Sequence, residues 1–217
     1  MSRKSLIVNA LTFARVPLIF LWAAFAVWEE LSAAGTGPSA LLAFLASLAM
    51  LLSGLTDLWD GRLARRWGVV STLGKMADPL MDKVFYFVAF PVLVWISAHA
   101  GVGSGQTLSL LALTILYLLR DTWVTFLRSV GAMFGADVGA MWLGKVRTAL
   151  SFPGAGWVYA FLCFRAFAPF QADNALARTA WPLSVLVVEA LLAALTLWSL
   201  VAYTRAYAPY LKKALES

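Results

Sequence analysis

Four aspartates set the chemistry open to this sequence: Asp57, Asp60, Asp78 and Asp82, within DLWDGRLARRWGVVSTLGKMADPLMD. The first two are three residues apart and the last two four apart, so each pair projects from one face of a helix. Carboxylates gathered in one place repel one another unless protons or cations neutralise them. An all-oxygen donor set favours Mg²⁺, Mn²⁺ or Ca²⁺ over zinc. A pair of such ions polarises a phosphoryl group and stabilises an in-line displacement. Arg62, Arg65, Arg66 and Lys75 lie between the acids and supply phosphate-binding groups, with Arg65 suited to bidentate contact. Each acid also has a plainer reading. Asp78 before Pro79 has the form of a helix N-cap followed by proline at the first helical position, with Asp82 in a first turn that favours negative charge. Asp57 and Asp60 would then mark a membrane edge, paired with Arg62 and Arg65.

The elements that position these groups are apolar. Of 217 residues, 62% are hydrophobic and 13% charged, and the mean hydropathy is +0.81, far from the composition of a soluble domain. With about 20 residues needed per span, the length allows about six transmembrane helices. The expectation is an all-α integral membrane bundle, a single domain over residues 1–217. The spans read as Ile7 to Trp28, Ala40 to the acids at Asp57, Pro79 onward with a kink at Pro91, Thr107 to Val130, Thr148 to Phe167, and Trp181 to Tyr203. Gly/Ser/Pro-rich loops cover Ser32 to Ser39 and Gly101 to Gln106, the latter a flexible turn composition. The basic start and apolar run at the N-terminus read as a retained first helix. Cys163 has no partner cysteine and His99 is the sole histidine, so a thiolate or imidazole metal site is not expected.

Short loops rich in Lys and Arg stay cytoplasmic. Arg3 and Lys4, then Arg62 to Lys75, then Lys145 and Arg147, then Arg205, Lys212 and Lys213 mark one side, against Arg165 and Arg178 on the other. Both termini and the acidic stretch are therefore expected at the cytoplasmic face of the membrane. The net charge of +6 follows from this topology rather than from nucleic-acid binding.

Asp57, Asp60, Gly61, Ala64, Arg65, Gly74, Asp78 and Asp82 reproduce the signature D-x2-D-G-x2-A-R-x8-G-x3-D-x3-D, and on these residues the chain resembles the CDP-alcohol phosphatidyltransferases. The resemblance implies a six-helix membrane enzyme, usually a homodimer, in which an alcohol displaces CMP from a CDP-linked lipid with the help of Mg²⁺ or Mn²⁺, two ions in all. It implies that Asp57, Asp60 and Asp78 are metal ligands, and that Asp82 is a ligand or neighbour of the metals and the general base. Asp57, Asp60, Gly61, Ala64, Arg65 and Gly74 would line the CDP site, where small residues admit the nucleotide and Arg65 holds the diphosphate.

The acceptor must be read elsewhere. Asn9 to Arg15, NALTFAR, and the series Arg120, Asp121, Leu127, Arg128, Gly144, Lys145, Arg147 and Thr148 are similar to segments of bacterial phosphatidylglycerophosphate synthases. Asp121 stands where those have Glu, Arg147 where they have Lys, and the intervening loop is shorter. Arg120, Arg128, Lys145 and Arg147 carry more positive charge than a neutral alcohol needs, so they are expected to bind the phosphate of an anionic acceptor. Glycerol 3-phosphate leads, with CDP-diacylglycerol as donor. Inositol phosphate, serine and phosphatidylglycerol are the alternatives, and on the bland reading Lys145 and Arg147 are topological anchors while Arg120 pairs with Asp121 or the metal-site acids. A cation transporter also uses intramembrane acids, but has no need of Gly61, Ala64 and Arg65 between them, and a non-catalytic scaffold has no need of the full acid set. Glu189, alone in the sixth span, is expected to meet a basic group from another helix, with a pathway carboxylate as the alternative.

Overall fold

The computed structural model describes residues 3–69, 72–136, 142–165, 167 and 179–216. Among these it contains six helices and no strand: α1 Arg3–Gly35, α2 Ala40–Trp67, α3 Thr72–His99, α4 Ser104–Met133, α5 Trp142–Phe164 and α6 Trp181–Glu216. All but α5 are long and apolar enough to cross a membrane, so the all-α membrane bundle expected from composition is the architecture observed. Many large apolar side chains, Phe20, Leu41, Phe44, Leu119, Leu191 and Trp198 among them, face outward. In water this would be an aggregation-prone surface; in a bilayer it is the solvated face.

Inside the bundle, association rests on packing rather than on the hydrophobic effect, which favours small residues where helices meet. Ala43, Ala46 and Ala49 recur at helical spacing on the buried side of α2, the helix along which α1 lies. At Gly54 of α2 a Cβ would come within 2.5 Å of the Phe152 ring of α5, so any larger residue there would displace that ring. α3 packs on α1, α4 and α5, and α6 packs on α4 and α5. Ser39 caps α2 by accepting from the Leu42 N–H at 3.4 Å. Gly68 ends it at φ 64°, a left-handed conformation that side chains other than glycine resist.

The helices are longer than hydropathy indicates, because polar turns at their ends continue the backbone hydrogen bonding of the apolar spans. α3 begins at Thr72, so Asp78 is six residues inside a helix and cannot be its N-cap. Gly61 lies within α2 and Gly74 within α3. α3 continues through Pro91 to His99. α4 starts at Ser104, taking up part of the expected loop. α5 starts at Trp142, so Gly144, Lys145 and Arg147 stand on its first turns, and α6 absorbs the basic tail.

Candidate active site

Alternation of helix direction brings the first half of α1, the end of α2, the start of α3, the second half of α4, the start of α5 and the second half of α6 to one end of the bundle. Asp57, Asp60 and Asp82 meet there. Asp57 and Asp60 project from α2 and Asp82 from α3, and all three bond the Arg15 guanidinium of α1. Arg15 Nη2 is paired with Asp57 and lies 3.5 Å from Asp60 Oδ2, while Nη1 reaches Asp82 Oδ1 at 3.2 Å. Thr12, one turn earlier on α1, donates to Asp60 Oδ2 at 2.9 Å. Asp60, Thr12 and Arg15 are buried, whereas Asp57 is exposed. Removing charge from water is costly unless it is paired and hydrogen-bonded, and here each buried charge is.

Three carboxylates against one guanidinium leave this cluster at a formal charge of −2. An all-oxygen set of that charge fits a hard divalent cation. The side chains of Asp78 and Lys145 lie outside the described residues. Among the described residues no group of three or more His, Cys, Asp or Glu is placed to hold a metal ion; Arg15 holds the three acids instead. Gly61 sits one residue past Asp60, and a Cβ there would meet only the Arg65 guanidinium, at 3.6 Å. Internal packing therefore leaves room for a Cβ at this position, unlike Gly54.

A second cluster stands beside the first. Asp121 of α4 accepts on one oxygen, Oδ1, from Arg120 Nη1 and from Arg147 Nη2 of α5, each at 2.8 Å. Arg120 also donates to Ser199 of α6 at 2.5 Å. The Arg147 guanidinium lies 4.6 Å from the ring centre of Tyr117 and 5.1 Å from that of Tyr86. Arg120 and Arg128 both lie over Tyr203, at 5.1 and 5.5 Å, and Arg128 donates to its hydroxyl at 3.1 Å. Aromatic faces attract desolvated cations, which helps keep two buried guanidiniums near a single carboxylate. Tyr86 follows Asp82 by one turn of α3, so α3 joins the acidic cluster to the basic one. Arg147 Nε and Nη1 and Arg120 Nε are buried donors with no hydrogen-bond partner among the described residues.

Of the residues expected at the site, Asp57, Asp60 and Asp82 converge, and Arg120, Arg128 and Arg147 form the neighbouring basic cluster. Arg120 does pair with Asp121, as the bland reading allowed, yet Arg147 shares that acid. The α2 acids pair with Arg15 of α1. Thr12 and Arg15 had a sequence signal, since Asn9, Thr12 and Arg15 recur every three residues in an apolar helix and an arginine inside a span marks function by default. Ser199, Tyr203, Tyr86 and Tyr117 had none, because each reads as an ordinary member of its span. Glu189 does not meet a basic group as expected: among the described residues it accepts from Gln106 Nε2 and from the Ser109 hydroxyl, both at 2.5 Å. At the same far end of the bundle, Arg165 pairs with Glu30 at 3.2 Å.

Comparison with known proteins agrees with this geometry. Residues 5–204 match the family model described as CDP-alcohol phosphatidyltransferase. Over 117 residues the chain is 32% identical to the CDP-diacylglycerol–glycerol-3-phosphate 3-phosphatidyltransferases of Escherichia coli strain K12, Shigella flexneri serotype 5b and Shigella sonnei. That match spans 53% of this chain and 60% of each relative's length. A family match over nearly the whole chain, with Asp57, Asp60 and Asp82 gathered on one guanidinium, leads to one conclusion: the chain belongs to the CDP-alcohol phosphatidyltransferase family.

Proposed function

We propose that this protein transfers the phosphatidyl group of CDP-diacylglycerol to glycerol 3-phosphate and releases CMP, as a step of phospholipid synthesis. The observation that carries this reading is the adjacency of two clusters of opposite sign: Asp57, Asp60 and Asp82 around Arg15, and Arg120 and Arg147 around Asp121. The first suits a nucleoside diphosphate neutralised by divalent cations, and the second suits a small anion. Guanidinium groups suit phosphate oxygens, and those of Arg120 and Arg147 stand together in this second cluster. Arg128 and Lys145, nearer the helix ends, would complete the grip.

In this reading Asp57, Asp60 and Asp78 would hold two Mg²⁺ or Mn²⁺ ions, with Asp82 a ligand or neighbour of them, and the ions would neutralise charge on the diphosphate and on the departing CMP. Gly61, Ala64 and Gly74 admit the cytidine against the backbone, and Arg65 holds the diphosphate. Asp82, about one-third exposed and bordering the basic cluster, takes the proton of the acceptor hydroxyl. The hydroxyl oxygen then bonds to the lipid-linked phosphorus as the bond from that phosphorus to the CMP oxygen breaks. Positioning and electrostatics supply most of the catalysis. The whole chain acts as one transmembrane domain in the inner membrane, with the site at the cytoplasmic face, and works as a homodimer.

Purified protein incubated with CDP-diacylglycerol, Mg²⁺ and each of glycerol 3-phosphate, inositol phosphate, serine and phosphatidylglycerol is expected to release CMP with the first. CMP release with another acceptor but not with glycerol 3-phosphate would replace the acceptor and keep the reaction.

A further inference from the structure

We infer that Arg15 is the resident counter-cation of the acidic cluster, a positioning residue that aligns Asp57, Asp60 and Asp82 and that a divalent cation must compete with for those carboxylates. The inference rests on the reading of these acids as metal ligands. Arg15 comes from α1, outside the acidic stretch, and its guanidinium joins two acids of α2 to one of α3. Its side chain is 6% exposed, so water does little of the neutralising. Thr12 holds Asp60 through the same oxygen that faces Arg15, which fixes the rotamer of the most buried of the three. A planar fork with several donors can hold carboxylates from two helices in register, which a point charge cannot. The same positive charge disfavours a second cation at the same oxygens. The two effects act in opposite directions, and this makes the role testable apart from activity.

The test is Mn²⁺ affinity, read by electron paramagnetic resonance on the full chain in detergent, for the wild type, Arg15→Gln, Thr12→Val and Asp60→Asn. Removing the Arg15 charge is expected to tighten Mn²⁺ binding roughly tenfold. The same variant should melt lower in chelator and recover in Mn²⁺. Thr12→Val, which removes a donor but no charge, should not tighten binding, and Asp60→Asn should weaken it. If Arg15→Gln leaves Mn²⁺ affinity unchanged or weaker while Asp60→Asn weakens it, the competition is refuted and the metal reading stands. If the wild type binds no Mn²⁺, the metal reading falls and the inference with it. Should Arg15→Gln fail to fold, the wild type answers directly: modification of Arg15 by an arginine-specific dicarbonyl, followed by mass spectrometry, should rise when Mn²⁺ is added. Unchanged labelling would overturn the inference.

Discussion

Asp121 is the strongest single test of the basic cluster. Its carboxylate is 10% exposed and accepts from two guanidiniums that are themselves 8% and 3% exposed, both through Oδ1 at 2.8 Å. Asp121→Asn keeps the shape and one acceptor oxygen but removes the charge. Each hydrogen bond to a charged group contributes about 1.5–3 kcal/mol net, and the amide oxygen recovers part of it. Two such bonds put the loss at about 3 kcal/mol, the lower end of what breaking a buried ion pair costs. For a chain of this size about 3 kcal/mol corresponds to a melting-temperature drop of roughly 6–12 °C. Thermal unfolding in detergent, followed by intrinsic tryptophan fluorescence, measures it. Asp121→Glu, which keeps the charge, is the control and should lose less than half as much. If Asp121→Asn melts within about 2 °C of wild type, then Arg120 and Arg147 are not held by this carboxylate and the account of their burial is wrong.

Gly61 and the acids give two further expectations. Gly61→Ala should leave the melting temperature unchanged, since its Cβ would meet only the Arg65 guanidinium at 3.6 Å; if the nucleotide lies against this backbone, the KM for CDP-diacylglycerol rises roughly tenfold, about 1.4 kcal/mol. A large loss of stability would instead assign Gly61 to packing. Asp82→Asn should abolish turnover while leaving metal-dependent binding of CDP-lipid largely intact, whereas Asp57→Asn should weaken binding as well. Equal loss of binding in both, measured by calorimetry, would remove the base assignment for Asp82.

The sequence by itself determined the all-α membrane architecture, because 62% hydrophobic residues in spans of membrane length leave a chain few other ways to satisfy its backbone. It also determined the candidate acids, since spacings of three and four within a helix put side chains on one face wherever that helix goes. Helix ends were less legible: hydropathy stops at the membrane, whereas hydrogen bonding does not, so α3 reaches back to Thr72 and α5 to Trp142. What only the tertiary structure decided is which charges meet. Arg15 lies 42 residues from Asp57 and 67 from Asp82, and Arg120 finds Ser199 across 79 residues. No local spacing encodes such pairs. They follow from alternating helix direction, which brings the start of α1 beside the end of α2 and the start of α3, and from the cost of burying charge, which makes the groups brought together neutralise one another. The tyrosines that carry the basic cluster belong with these pairs: Tyr86, Tyr117 and Tyr203 look like any aromatic of a membrane span until a guanidinium lies on each ring.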